Sequence, residues 1–205
     1  MAPGLTPLRL NMDETAIRFF YDQRGGFRLR PCVLRKKHGV PGYRRSSAAG
    51  RKKSMTHIAV VCDDVEVQHR LPQILLGNEN NFHAAQLEHL RGLAGGRITV
   101  WRRKSAWMNK EVMKDLLVML ADCLRPWART RQPILLLDAL RSHIANDVLA
   151  LASELNIWIV LVPAQATFLM RPLDTHVFGR FKHTLRRKMT RLTLTGAAHG
   201  MGLNR

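Results

Sequence analysis

The stretch ILLLDALRSHIANDVLALASELNIWIVLV, residues 134–162, decides the fold. It opens with the apolar run 134–137, which is typical of a strand buried on both faces. Asn146 can cap a helix over residues 147–155, and residues 157–162 form a second apolar run, interpreted as another buried strand. A strand, a helix and a second strand with short connections predict a right-handed βαβ crossover with parallel strands.

Asp138 comes directly after the first of these strands, and two other aspartates take comparable places. Asp13 follows a predicted strand over residues 8–12, and Asp174 stands where the last helix should begin. Ligands of open α/β sheets bind beyond the carboxyl ends of parallel strands. A carboxylate at the mouth of an apolar strand is costly unless a cation meets it. Taken singly, Asp13 also fits an ordinary turn and Asp174 a helix cap.

The remaining chain predicts a mixture of strands and helices. Three more strands are expected from short apolar runs: residues 56–62, 69–76 and 98–101. Asp63 and Asp64 suggest a hairpin turn, and Pro72 suits only an edge strand or a bulge. Residues 78–96 are predicted to have little regular structure.

Two amphipathic helices are predicted outside the central stretch. Asn109 is the expected N-cap of a helix over residues 110–124. The last helix is expected over residues 173–188, with a basic face. Trp107 is interpreted as a core anchor rather than as a base-stacking residue.

The charge of the chain indicates a polyanionic partner. Its 205 residues carry a formal net charge of +18, which favours nucleic acid, with an anionic membrane surface as the competitor. No apolar run approaches the ~20 residues of a spanning helix. The three cysteines show no CxxC spacing, so neither a disulfide framework nor a zinc site is indicated. A reducing compartment, the nucleus or the cytoplasm, is expected, and the nucleus is the predicted location.

Residues 24–53 hold eleven Lys or Arg and no acid. This composition predicts an irregular, solvated basic loop. The same loop can also serve as an arm that binds the DNA backbone or as a nuclear localisation signal. The candidate DNA-binding residues are this loop's Arg35, Lys36, Lys37, Arg44, Arg45, Arg51, Lys52 and Lys53, with Lys182, Arg186 and Arg187 of the last helix.

Four phrases together resemble a known family. They are NMDET (11–15), WMNKEVMKDLLVML (107–120), LLLD-x4-H (135–143) and VP-x-x-AT-x-L-x-x-PLD-x-x-VF-x-x-FK (162–182). The combination is similar to the catalytic domain of DDE-superfamily endonucleases and transposases, in the pogo/Tigger and centromere-protein-B-like branch. The likeness runs from about residue 8 to residue 187.

The resemblance implies an α/β, RNase H-like fold with a mixed five-stranded sheet flanked by helices. It implies that Asp13, Asp138 and Asp174 are catalytic and bind two Mg²⁺ or Mn²⁺ ions for phosphodiester hydrolysis and strand transfer on DNA. Two metals roughly 4 Å apart suit an in-line displacement at phosphorus, and carboxylate oxygens suit these ions. His143 and Arg171 are candidates for contacting phosphate or orienting the acids, and a local hydrogen bond is the alternative for His143. Glu14 is expected to face away from Asp13.

The predicted organisation is one catalytic domain over residues 1–190, with a basic loop at about 24–53 and a disordered tail over 191–205. No membrane association is expected. The chain is expected to form a homo-oligomer. Ala139, Arg141 and Arg171 replace the Asn, Pro and Gln that are common in the family, and nothing in the chain offers a helix-turn-helix domain.

Two further hypotheses remain open beside the enzyme. One is a catalytically silent DNA-binding remnant of a transposase. The other is an unrelated basic RNA- or ribosome-associated protein, for which the three carboxylates should lie more than ~10 Å apart.

Overall fold

A mixed sheet organises the computed structural model, which describes residues 4–18, 54–163 and 171–194. The six strands in these ranges are β1 (Thr6–Arg18), β2 (Ser54–Cys62), β3 (Gln73–Asn78), β4 (Thr99–Arg103), β5 (Arg131–Leu137) and β6 (Trp158–Leu161). Their order across the sheet is β4-β3-β2-β1-β5-β6. β2 runs antiparallel to β1 and β3, and the other neighbouring pairs are parallel. The predicted mixed α/β architecture is confirmed, with six strands in the described part instead of five.

Helices cover the sheet and connect its strands. They are α1 (Val65–Gln68), α2 (Ala84–Ala94), α3 (Lys110–Leu124), α4 (Asn146–Glu154) and α5 (Phe178–Leu194), with a 3₁₀ turn at Arg125–Trp127 and a π-helical turn at Leu173–Val177. Within the described ranges, none of the helices combines the length and the apolar character needed to cross a membrane.

α3 forms because its sequence supplies both a cap and an apolar stripe. The Asn109 side chain accepts a hydrogen bond of 2.9 Å from the Val112 N–H, which satisfies a donor that the first helical turn leaves unpaired. Its buried stripe, at helical spacing, comprises Val112, Met113, Leu116, Leu117, Leu120 and Leu124. The helix and its cap are therefore confirmed as predicted.

The main core lies between one face of the sheet and the helices α3 and α4. Leu8, Leu10 and Met12 alternate along β1 toward this face and are almost fully buried, as the period of two in a strand requires. A smaller apolar cluster on another surface joins Ala59 of β2 to Leu173 and Phe178.

The βαβ crossover is confirmed, since β5, α4 and β6 follow one another and the two strands pair in parallel. Two details of the prediction are wrong. The residue before α4 is Ala145, so Asn146 is the first helical residue rather than the cap. β6 is an edge strand, and Trp158 and Val160 are 43% and 39% exposed, because a strand at the end of the sheet order has a neighbour on one side only.

Four other details of the predicted local structure differ from the observed one. Residues 78–96 contain α2, which ends at Gly95 in the left-handed conformation, where glycine avoids the Cβ penalty. Asp64 caps the short helix α1 instead of forming a hairpin turn, and β3 begins after Pro72. Trp107 is 78% exposed and is not a core anchor.

The segments that carry Asp13 and Asp174 also differ from the prediction. β1 continues to Arg18, so Asp13 lies inside a strand rather than at its end, because the antiparallel pairing with β2 continues beyond it. α5 extends to Leu194, past the predicted end at residue 188 and into the predicted tail. The basic segment 24–53 and the rest of the predicted tail, residues 195–205, lie outside the described residues.

Candidate functional site

The strand register brings Asp13 and Asp138 together. β1 and β5 pair in parallel up to Asn11 opposite Leu136. Asp13 and Asp138 stand two residues further along their respective segments, so they follow the same register. Because alternate strand residues share a face, Asp13 lies on the same face of β1 as Asn11.

Asn11 attaches the segment that carries the third aspartate. Its side-chain N–H donates to the Leu136 carbonyl at 3.3 Å, and its side-chain oxygen accepts from the Leu173 N–H at 3.3 Å. Leu173 is fully buried against Ala59 and Phe178. A buried anchor at Leu173 therefore places the adjacent Asp174 beside the end of the β1–β5 pair.

The guanidinium of Arg171 contacts all three aspartates. Its Nη2 lies 2.5 Å from Asp13 Oδ1 and 3.3 Å from Asp174 Oδ2. Its Nη1 lies 3.8 Å from Asp138 Oδ2. One planar group spans these contacts, so the three carboxylates converge, contrary to the wide separation expected if their motifs were unrelated. Arg171 is only 7% exposed.

Burial dominates the electrostatics of Asp13. It raises the pKa of this carboxyl from its ordinary value to about 7, with Asp174 adding to the rise and the positive charge of Arg171 opposing it. Desolvation disfavours the charged form of a carboxyl, and a second carboxyl nearby does the same. Arg171 therefore opposes the effect of burial on the pKa of Asp13 without cancelling it.

His143 connects Asp138 to the opposite face of β1. Its Nδ1 lies 2.7 Å from Asp138 Oδ1, and its Nε2 lies 3.4 Å from Glu14 Oε1. Burial lowers the pKa of His143, but the hydrogen bond and charge of Glu14 and the charge of Asp138 outweigh it, so the net direction is upward. The contact with Asp138 matches the interpretation that His143 orients an acid. Glu14 faces away from the Arg171 contact, as the strand period requires.

The carboxylate oxygens of the three aspartates suit a divalent metal ion, although in this structure they surround the guanidinium of Arg171. Asp13 Oδ2 is buried and makes no hydrogen bond, and carboxylate oxygens are the donors that Mg²⁺ and Mn²⁺ prefer. The side chains of Asp138 and Asp174 are 26% and 42% exposed, so the site opens toward solvent. Across the described residues, no group of three His, Cys, Asp or Glu side chains has the arrangement of a metal site.

The candidate DNA-binding residues separate into two groups. Lys182, Arg186 and Arg187 lie on α5, which begins four residues after Asp174. Lys182 Nζ lies 5.9 Å from the centre of the Phe178 ring, and Arg186 and Arg187 are exposed. The remaining eight candidates, Arg35 to Lys53, fall outside the described residues.

Two residues that shape this site, Asn11 and Glu14, are not apparent as site residues from the sequence alone. Asn11 has a recognisable signal, since it stands two residues before Asp13 in NMDET and so shares its face. The sequence signal for Glu14 is weaker, because its partner His143 is 129 positions away and only the fold brings the two together.

Comparisons with known proteins agree with this geometry. A family model described as DDE superfamily endonuclease matches residues 52–202, which include Asp138 and Asp174 but not Asp13. No curated protein matches the chain.

Two solved structures have similar folds. The Mos1 mariner paired-end complex with Mn has 18% identity and a TM-score of 0.50, over 86% of this chain and 42% of that one. A pre-cleavage Mos1 transpososome has 19% identity and a TM-score of 0.50, over the same shares. These likenesses show the RNase H-like fold, and the chain spans less than half the length of these relatives.

Proposed function

Because the chain belongs to the DDE superfamily endonuclease family, we propose that it is a DNA-binding transposase core that cleaves phosphodiester bonds with Asp13, Asp138 and Asp174. The observation that carries this proposal is the convergence of three carboxylates, from three separate segments, on one small group. Such a cluster is costly in a fold unless it serves a cation.

The implied cofactor is a pair of divalent ions, Mg²⁺ or Mn²⁺, and the three aspartates would hold it. When bound, such ions activate the attacking oxygen and stabilise the leaving oxygen of the phosphodiester. His143 holds the Asp138 carboxylate from one side, and the Leu140 N–H donates to the same Oδ1 at 3.4 Å. The protein's part is therefore to fix the direction of its acids before substrate arrives.

DNA is the proposed substrate and partner because the chain is strongly basic and ends its described part with a basic helix. The net charge of +18 favours a polyanion. Lys182, Arg186 and Arg187 would contact phosphates beside the acids, and residues 35–53 would add a basic arm. The Mos1 structures are a paired-end complex and a transpososome, which supports a homo-oligomer on DNA. The proposal also includes the pogo/Tigger branch, which the four sequence phrases resemble, and a nuclear location, which suits a DNA partner.

The test is Asp138→Asn, assayed for nicking of supercoiled DNA at high millimolar Mn²⁺ and for DNA affinity by fluorescence anisotropy. We expect nicking to fall to background, because a metal-binding carboxylate is lost, while DNA affinity is kept. Asp122→Asn is the matched control, since Asp122 is an exposed carboxylate near the far end of α3. Nicking that persists in Asp138→Asn would refute the assignment.

The second candidate function is DNA binding without cleavage. The guanidinium of Arg171 between the aspartates favours it, since that position would otherwise be open to an ion. It predicts salt-sensitive DNA binding with no nicking by the unmodified chain in either Mg²⁺ or Mn²⁺.

A further inference from the structure

The backbone holds Arg171 in place at the entrance to the π-helical turn. Both the N–H and the hydroxyl of Thr175 donate to the Arg171 carbonyl, at 3.3 and 3.1 Å. Leu173, two residues further on, is fully buried and bonded to Asn11. Arg171 is thus directed into the carboxylate cluster by contacts that do not involve its own side chain.

The positive charge of the Arg171 side chain offsets part of the negative charge of the three aspartates. A guanidinium keeps its charge at all ordinary pH values and presents several donors in one plane. Here the two terminal nitrogens share the contacts to Asp13, Asp138 and Asp174, and Nε makes no hydrogen bond. A cation is therefore already present where these oxygens point.

We propose that Arg171 is a resident cation of the carboxylate site, which competes with divalent ions and lowers the affinity of the aspartates for them. This inference rests on the proposed function, since it concerns the same three aspartates. A divalent ion must draw the carboxylates away from the guanidinium, and the displaced Arg171 must find new partners. A buried charge that loses its partners is strongly unfavourable, so metal binding has to overcome that cost.

Replacing Arg171 by glutamine distinguishes the effect of the positive charge from the effect of hydrogen bonding by the side chain. Glutamine is polar and can still hydrogen-bond a carboxylate through its amide N–H, but it carries no charge. In the metal-free variant the aspartates repel one another. Bound Mn²⁺ would relieve that repulsion, so stability and metal affinity should change in opposite directions.

The experiment compares the intact chain with Arg171→Gln and with the charge-matched control Arg129→Gln. Arg129 is exposed and precedes β5, at the opposite end of that strand from Asp138. Mn²⁺ binding is measured by calorimetry, and the melting temperature is measured in EDTA and across a Mn²⁺ titration.

We expect Arg171→Gln to bind Mn²⁺ at least about tenfold more tightly than the intact chain, because an opposing positive charge is gone. Its melting temperature should be lower in EDTA and should rise with Mn²⁺, whereas Arg129→Gln should behave like the intact chain. Equal Mn²⁺ affinity in the intact chain and in Arg171→Gln would overturn the inference and leave the metal-dependent function standing. Absence of Mn²⁺ binding in a folded Arg171→Gln would overturn both.

The intact chain provides a second test if Arg171→Gln fails to fold. The inference predicts no rise in the melting temperature of the intact chain at Mn²⁺ up to about 0.1 mM, because a ligand stabilises only above its dissociation constant. A rise in this range that disappears in Asp138→Asn would contradict the inference. A rise that appears only at higher Mn²⁺ concentrations and disappears in Asp138→Asn would support it, and no rise at any Mn²⁺ concentration would overturn both the inference and the proposed function.

Discussion

His57 of β2 packs as a neutral aromatic ring beneath α5. Its ring centre lies 6.4 Å from that of Phe178 and 5.1 Å from that of Phe181, and its Nδ1 is buried without a hydrogen bond. Burial lowers the pKa of His57, against a smaller opposing effect of the hydrogen bond with Gln73. Protonation of His57 therefore disfavours the packing of α5 on the sheet.

The pKa shift of His57 predicts acid sensitivity. The pKa of His57 in the folded state lies below its unfolded value of 6.5. At pH values between the two, the unfolded chain therefore binds more protons than the folded chain. The associated stability is present above pH 6.5 and is lost as the pH falls toward the folded-state pKa. We expect His57→Phe, which keeps an aromatic ring, to reduce the pH slope of the unfolding free energy between pH 6.5 and 5, by at most about 1.4 kcal/mol per pH unit.

Urea unfolding at a series of pH values measures this slope. His83→Phe is the control, since His83 is an exposed histidine that precedes α2. Identical slopes in His57→Phe and the intact chain would show that His57 does not contribute.

α3 is the element whose formation depends most clearly on its own residues. Its N-cap, its buried stripe and its end before Pro126 can all be recognised in the sequence. It also provides much of the apolar surface that covers β1 and β5. Loss of its cap should therefore weaken the whole fold without altering the site directly.

We expect Asn109→Ala to lower the free energy of unfolding by about 1 kcal/mol, since the cap's hydrogen bond to Val112 is lost. Asn109→Ser, which preserves a capping oxygen, should retain most of the stability. Chemical denaturation followed by circular dichroism makes the comparison. A loss in the serine variant as large as that in the alanine variant would mean that the cap is not the cause.

In the described part of the chain, basic side chains lie both near the carboxylate site and at the opposite end of the sheet. α5 brings basic side chains close to the segment of Asp174, while Arg97 and Arg129 precede β4 and β5 at the opposite ends of those strands. A DNA strand that approaches the aspartates would therefore lie nearer to α5 than to these arginines. This arrangement makes the salt dependence of DNA binding a measure of orientation.

We expect the logarithm of the DNA association constant to fall steeply and linearly with the logarithm of salt concentration. The double variant Lys182→Gln/Arg187→Gln should make this slope shallower by up to about 1.8, or about 0.9 per lost phosphate contact. The double variant Arg97→Gln/Arg129→Gln removes the same charge far from the site and should change it less. Equal changes in the two would place the DNA elsewhere. Anisotropy titrations at several salt concentrations provide the values.

The parts of this protein that depend on local pattern can be predicted from its residues alone. The α3 helix with its Asn109 cap and the βαβ crossover follow from apolar spacing, because that spacing records which side of an element is buried. The three aspartates can be selected as candidates from their places beside predicted apolar elements and from the motifs that resemble the family. The helix α2 was missed because histidines and glycines surround and interrupt its apolar pattern, and of its residues only Leu87 is buried.

The way these parts meet depends on contacts between segments that are far apart in the chain. The register of β1 against β5 joins residues 125 positions apart, and a shift of one residue would turn Asp13 to the other face. The exposure of β6 depends on its place at the edge of the sheet. The position of Arg171 between the aspartates depends on the anchoring of Leu173 by Asn11. Local sequence cannot encode such contacts, because each is set by a partner distant along the chain.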